Sequence, residues 1–175
     1  MTTLPALHDL HQRHPGLTPL LCGSYAEAAS VCLSRHHASP VEFDVVKQGI
    51  ATSRQVAWVT PDDRVKRAWN NNDDATRDGA YSLSIAAVEV ELGLLAVQRA
   101  ETRTGADYYM APTPAKSLET AYRLEVSGVD HGNEKTIQRR LIEKVQQARR
   151  GSSNLPAIAA VVGFLERRIE IEQVT

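Results

Sequence analysis

Between Gly105 and Gly128 the chain reads GADYYMAPTPAKSLETAYRLEVSG, two short strand-forming runs joined by a polar, proline-containing loop. Side chains alternate along a strand, so Leu124 and Val126 share one face, while Arg123, Glu125 and Ser127 share the other. The apolar face has to join a core, which leaves the polar face to carry chemistry. Asp107 lies near the start of the first run and Glu125 near the end of the second. Whether those two acids meet decides the functional reading.

The flanking segments set the fold class. Tyr81, Ser84, Ile85, Val88, Leu92 and Leu95 fall on one stripe at helical spacing, within a helix expected from about Asp74. Ala96 to Glu101 is expected to form a strand, and Ala106 to Met110 the next one. Glu134 to about Arg149 reads as an amphipathic helix, with Ile137, Leu141, Val145 and Ala148 inward and many lysines and arginines outward. Gly151-Ser152-Ser153-Asn154 ends it. Ala157 to Phe164 is apolar enough for a buried strand, and Arg168 to Val174 alternates as a strand does. Upstream, Ser24-Tyr25-Ala26-Glu27 has the form of a capping box that opens a helix running to about His37. Val41 to Lys47 and Arg54 to Thr60 read as strands, and Pro61-Asp62-Asp63 as a helix start. The polar run Asn70–Asp74 is the candidate boundary between an N-terminal extension (residues 1–70) and a C-terminal core (residues 71–175), the two forming one compact domain. The fold class expected is α/β.

Residues 1–20 are punctuated by Pro5, Pro15, Gly16 and Pro19 and read as an irregular, solvated arm. His8, His11 and His14 recur there every third residue, but no carboxylate or cysteine is placed to complete a metal site. Cys22 and Cys32 lack metal-ligand spacing and read as reduced structural thiols. The formal net charge is −1, so no global field draws nucleic acid or a membrane surface, and a polyanion site has to be a local patch. The N-terminus has no signal-peptide pattern, and no run approaches the length of a membrane span. A soluble, cytoplasmic chain is the expectation.

Taken together, the order helix, strand, strand, strand, basic helix, strand, with Gly105-Ala106-Asp107 followed by Glu125-Val126-Ser127, resembles the restriction-endonuclease-like nucleases of the PD-(D/E)XK superfamily. That family carries an acid on one strand, an acid-x-lysine on the next and often a glutamate on the preceding helix. The resemblance implies a mixed central sheet flanked by helices, here with an N-terminal α/β extension. It also implies phosphodiester hydrolysis with Mg2+ or Mn2+, and DNA as the substrate. Asp107 and Glu125 would bind the metal, and Glu89, or failing that Glu91, would add a ligand or orient a metal-bound water. Two carboxylates about 4 Å apart repel by about 4 kcal/mol at an effective dielectric of 20, and a hard cation between them removes that cost.

The sequence departs from the family at the lysine, where Ser127 stands. Ser127 can hydrogen-bond a water but carries no charge, so Lys144, or else Lys135, is the candidate replacement. Lys135, Arg139 and Arg140 on the basic helix are candidate phosphate contacts. The same pattern fits a solvated helix face, and the two acids also fit strand residues paired to Arg99, Arg103 or Arg123. His131 reads as a surface loop residue, with proton transfer near neutral pH as its functional alternative. The departure at Ser127 keeps a second reading open, a degenerate module of the same fold that binds a protein partner or nucleic acid without cleaving it. A homo-oligomer fits either reading.

Overall fold

The computed structural model describes residues 2–114, 117–151 and 153–174. Ala115 and Lys116 of the expected loop, and Ser152 of the expected helix stop, lie outside them. In chain order the elements are β1 (Thr2–Thr3), a 3-10 helix (Leu7–Gln12), α1 (Pro19–His36), β2 (Val41–Lys47), β3 (Ile50–Val56), α2 (Asp63–Ala68), α3 (Asn72–Leu92), β4 (Leu95–Arg99), β5 (Tyr108–Ala111), β6 (Tyr122–Val129), α4 (Glu134–Arg150), β7 (Ala157–Gly163) and β8 (Arg168–Val174). The fold is α/β, one mixed sheet with flanking helices.

Among the described residues the sheet has eight strands in the order β1-β3-β2-β8-β7-β6-β5-β4. β4, β5 and β6 form an antiparallel meander, and β6 then runs parallel to β7 across α4. A parallel pair needs such a crossover, because a tight turn can only reverse the chain. β7 is buried along its whole length. Ile158, Ala160 and Val162 face the main core beneath α1 and α3, while Ala157 and Val161 face α4, which explains the uninterrupted apolar run.

α1 and α3 cross closely on one face. A Cβ at Gly79 would lie 2.9 Å from the backbone of Ala29, so glycine permits the crossing that a side chain would block. α3 also presses on β6, where a Cβ at Gly128 would lie 2.5 Å from the Thr76 carbonyl oxygen. Asn71 caps α3 by accepting from the Asp73 and Asp74 backbone N–H groups. The polar run at Asn70 is therefore a helix start. β2 continues the sheet through β8, and α1 shares a core with α3, so the N-terminal region is built into the same sheet and core as the rest.

Three N-terminal expectations need correction. The arm is docked: Leu4, Leu7, Leu10 and Leu17 are buried, as is the whole of His14, because the leucines recur at a spacing that turns them to one side. α1 starts at Pro19, with Thr18 accepting from the Leu21 N–H, so Ser24 and Glu27 lie inside a helix already under way. β3 begins at Ile50, because Gln48 and Gly49 both take positive φ and close a two-residue hairpin. Cys22 and Cys32 are buried free thiols. No helix among the described residues is long and apolar enough to cross a membrane.

Candidate active site

The site follows from a mismatch in strand length. β5 pairs with β6 only up to Tyr108 opposite Leu124, whereas β6 continues beside β7 to Val129. Beyond Leu124 the free edge of β6 opens into a groove between α3 and α4. Asp107 sits where the strands part. Its Oδ2 accepts the Val126 backbone N–H at 2.8 Å, in place of the ladder bond that a longer β5 would supply. Its Oδ1 accepts the Tyr81 hydroxyl of α3 at 2.9 Å. Burial and the neighbouring carboxylate push the Tyr81 phenol up to about 12, so it is a neutral donor.

Glu125 lies on the adjacent strand with its side chain toward α4. Its Oε2 accepts Lys144 Nζ at 3.1 Å, and only 5% of its side chain is exposed. Burial raises the Glu125 carboxyl above the ordinary carboxylate range. Lys144 counters part of that, and Asp107 adds to it. Asp107, Glu125 and Lys144 line a cavity of about 780 Å³, together with Arg99, Arg103, Gln147 and Arg150. Asp107 and Lys144 also line the continuing groove of about 720 Å³, with Arg77, Tyr81, Ser127 and Arg140. On α4, Arg140, Lys144 and Gln147 follow one another at helical spacing, so one face of the helix forms the groove wall.

The other expected residues fall elsewhere. Glu89 does not line the groove; Arg13 (2.6 Å) and His14 (2.8 Å) hold its carboxylate. Burial pushes the Glu89 carboxyl up, but the hydrogen bonds from Arg13 and His14 outweigh it and leave it below the usual range. Glu91 is held by Arg54 at 2.6 Å. Both glutamates lie in the last turn of α3, away from the turn that meets β6, so what α3 brings to Asp107 is the Tyr81 hydroxyl. Ser127 accepts from Arg140 Nη1 at 3.2 Å in the groove wall. Lys135 and Arg139 are exposed and do not line the groove.

Arg123, on the strand face expected to carry chemistry and a candidate partner of the acids, is buried. Its guanidinium donates to the carbonyl oxygens of Leu155, Thr104 and Ala148, and so satisfies the C-terminal end of α4. It pairs with neither acid. Helical spacing marks Tyr81 only as a core-stripe residue, and the sequence marks Arg99 only as an arginine that could pair with an acid. The Arg99 guanidinium lies over the rings of Tyr81 (4.7 Å) and Tyr108 (4.8 Å) and donates to the Tyr81 and Tyr25 hydroxyls. No pattern in the sequence marks a cage whose three tyrosines come from α1, α3 and β5. A separate, more apolar cavity of about 400 Å³ near Trp58 contains neither acid.

No family model matches the chain, no curated protein matches it, and no solved structure matches it.

Proposed function

We propose that the protein is a metal-dependent nuclease, or the nuclease subunit of a larger assembly, with restriction-endonuclease-like architecture and DNA as its substrate. One observation carries the reading: Asp107, immediately before β5, and Glu125, on the neighbouring antiparallel β6, line one solvent-accessible cavity with Lys144 of the crossover helix. The sequence α3-β4-β5-β6-α4-β7 supports it.

The donor set fits a hard divalent cation. It offers carboxylate oxygens only, in a cavity roomy enough for the several waters that magnesium keeps. Asp107 is held by two neutral donors, each occupying one lone pair, and neither acid is locked to an arginine. Asp107 and Glu125 would hold the ion, which when bound polarises a phosphate oxygen and acidifies a bound water. Tyr81 and the Val126 N–H fix the direction of the Asp107 carboxylate. Lys144 supplies from α4 the positive charge that Ser127 lacks on β6. Arg99, Arg103, Arg140 and Arg150 line the groove with cations suited to a phosphate backbone.

The second reading, a non-cleaving module that binds nucleic acid or a protein partner, is favoured by one contact. Arg140 donates to Ser127, so the position of the family's lysine is already engaged.

Cleavage of plasmid and of single-stranded DNA with Mg2+ or Mn2+ tests the reading, comparing the native chain with Asp107→Ala. Loss of one positioned group that stabilises charge in the transition state corresponds to a drop of about 10²–10³-fold. Equal rates in both proteins would remove the nuclease reading, and metal binding without cleavage would favour the second.

A further inference from the structure

Farther along the groove, three side chains from two distant parts of the chain meet. His36 is the last residue of α1, and Asp130 and His131 follow the end of β6. His36 Nε2 lies 2.9 Å from Asp130 Oδ1, and His131 Nδ1 lies 3.1 Å from Asp130 Oδ2. The two imidazoles meet edge to face with centroids 4.7 Å apart. One donor atom from each of the three residues lies within 4.8 Å of the others. The His36 side chain is 6% exposed and that of His131 67%, so the cluster is rooted in the fold on one side and open on the other. Asp130 and His131 form part of the groove wall that also carries Asp107, Ser127 and Arg140.

We propose that His36 Nε2, His131 Nδ1 and Asp130 form a zinc-type metal site whose fourth position faces the groove. Two imidazoles and one carboxylate are a donor set of open tetrahedral zinc sites. Imidazole donors select zinc and its transition-metal neighbours over magnesium, which sets this cluster apart from the all-oxygen pair Asp107 and Glu125. Metal–donor bonds of about 2.0–2.1 Å in a tetrahedron place the donors about 3.4 Å apart, close to the 2.9 and 3.1 Å that separate the two imidazoles from Asp130. Each imidazole binds through the nitrogen that otherwise faces Asp130, and any proton there moves to the other ring nitrogen or to solvent. Arg35 Nη1, 2.5 Å from Asp130 Oδ2, is the outer partner that orients the carboxylate.

Charge balance favours an anion at the fourth position. The divalent ion, the aspartate and Arg35 together leave two positive charges, and a phosphate oxygen compensates them. The metal site does not depend on the nuclease reading. The phosphate ligand does rest on it, where the groove carries a nucleic-acid backbone.

The test titrates the metal-free full chain with Co2+, read by visible absorption. Native protein and Asp107→Ala each take up one Co2+ with the strong absorption of a tetrahedral site, and inorganic phosphate shifts the spectrum. His131→Gln, at an exposed position that leaves the core intact, weakens binding at least tenfold; His36→Gln does the same if it folds. Absence of the tetrahedral spectrum, or native affinity in His131→Gln, overturns the site. A spectrum that phosphate leaves unchanged overturns the assignment of the fourth ligand. Because Asp107→Ala keeps this site, failure of cleavage and failure of cobalt binding are read separately.

Discussion

Two groups of acids in this molecule illustrate different uses of buried charge. Glu89 and Glu91, at the end of α3, are each held by an arginine, and Glu89 by a histidine as well. These contacts fasten the N-terminal arm and β3 to the helix, and a carboxylate paired to an arginine in this way is a structural clip. Asp107 and Glu125 are held by a phenol, a backbone N–H and one lysine, and both line a cavity. Asp107, oriented by neutral donors alone, keeps lone pairs for a cation. An acid's partners, and the openness on its free side, distinguish the two groups, which place in the sequence does not.

The sharpest way to break this contrast is Lys144→Ala. If the groove is catalytic, turnover falls about a hundredfold, the scale for removing one positioned charge-stabilising donor. Single-turnover cleavage checks this, and an unchanged rate would return Lys144 to a simple partner of Glu125.

Glu89→Ala probes the clip. Removing one partner of a buried pair costs about 3–5 kcal/mol, but Arg13 is 39% exposed, so about 2–3 kcal/mol is the expected loss in urea unfolding. Cleavage per folded molecule stays native. A rate loss without a stability loss would move Glu89 back toward the site.

The smallest effect is a pair of opposite pH trends in unfolding midpoints. The folded Glu89 carboxyl is lowered, because Arg13 and His14 together outweigh burial, and burial lowers His14. Stability from both groups is present above their ordinary values and is lost as pH falls through the folded ones. The folded Glu125 carboxyl is raised by burial, so its contribution is complete below the ordinary carboxylate value and is lost as pH rises through the raised one. Glu125→Gln should therefore gain stability relative to native protein as pH rises above the carboxylate range, and Glu89→Gln should lose its relative deficit on acidification. Parallel pH trends in the two variants would contradict the distinction.

The sequence alone carried the element order from α3 to β8, because those segments have strong periodicity and clear stops. The stripe from Tyr81 to Leu92, the amphipathic run that starts at Glu134 and the alternation from Arg168 each record which face is buried, a local property. It also singled out Asp107, Glu125 and Lys144. The start of α1, the Gln48–Gly49 hairpin and the docking of the arm were less legible. In each, a local signal competed with a contact from far along the chain.

Only the tertiary structure decided which acids became clips and which line a groove. Arg13 and His14 reach Glu89 across more than seventy residues of chain, Tyr81 reaches Asp107 from another element, and His36 meets Asp130 where α1 ends beside β6. Spacing along the chain records the face on which a side chain lies. It does not record the distant group that will neutralise, orient or leave open that side chain, because the sheet order and helix crossings that bring such groups together exist only in the folded molecule.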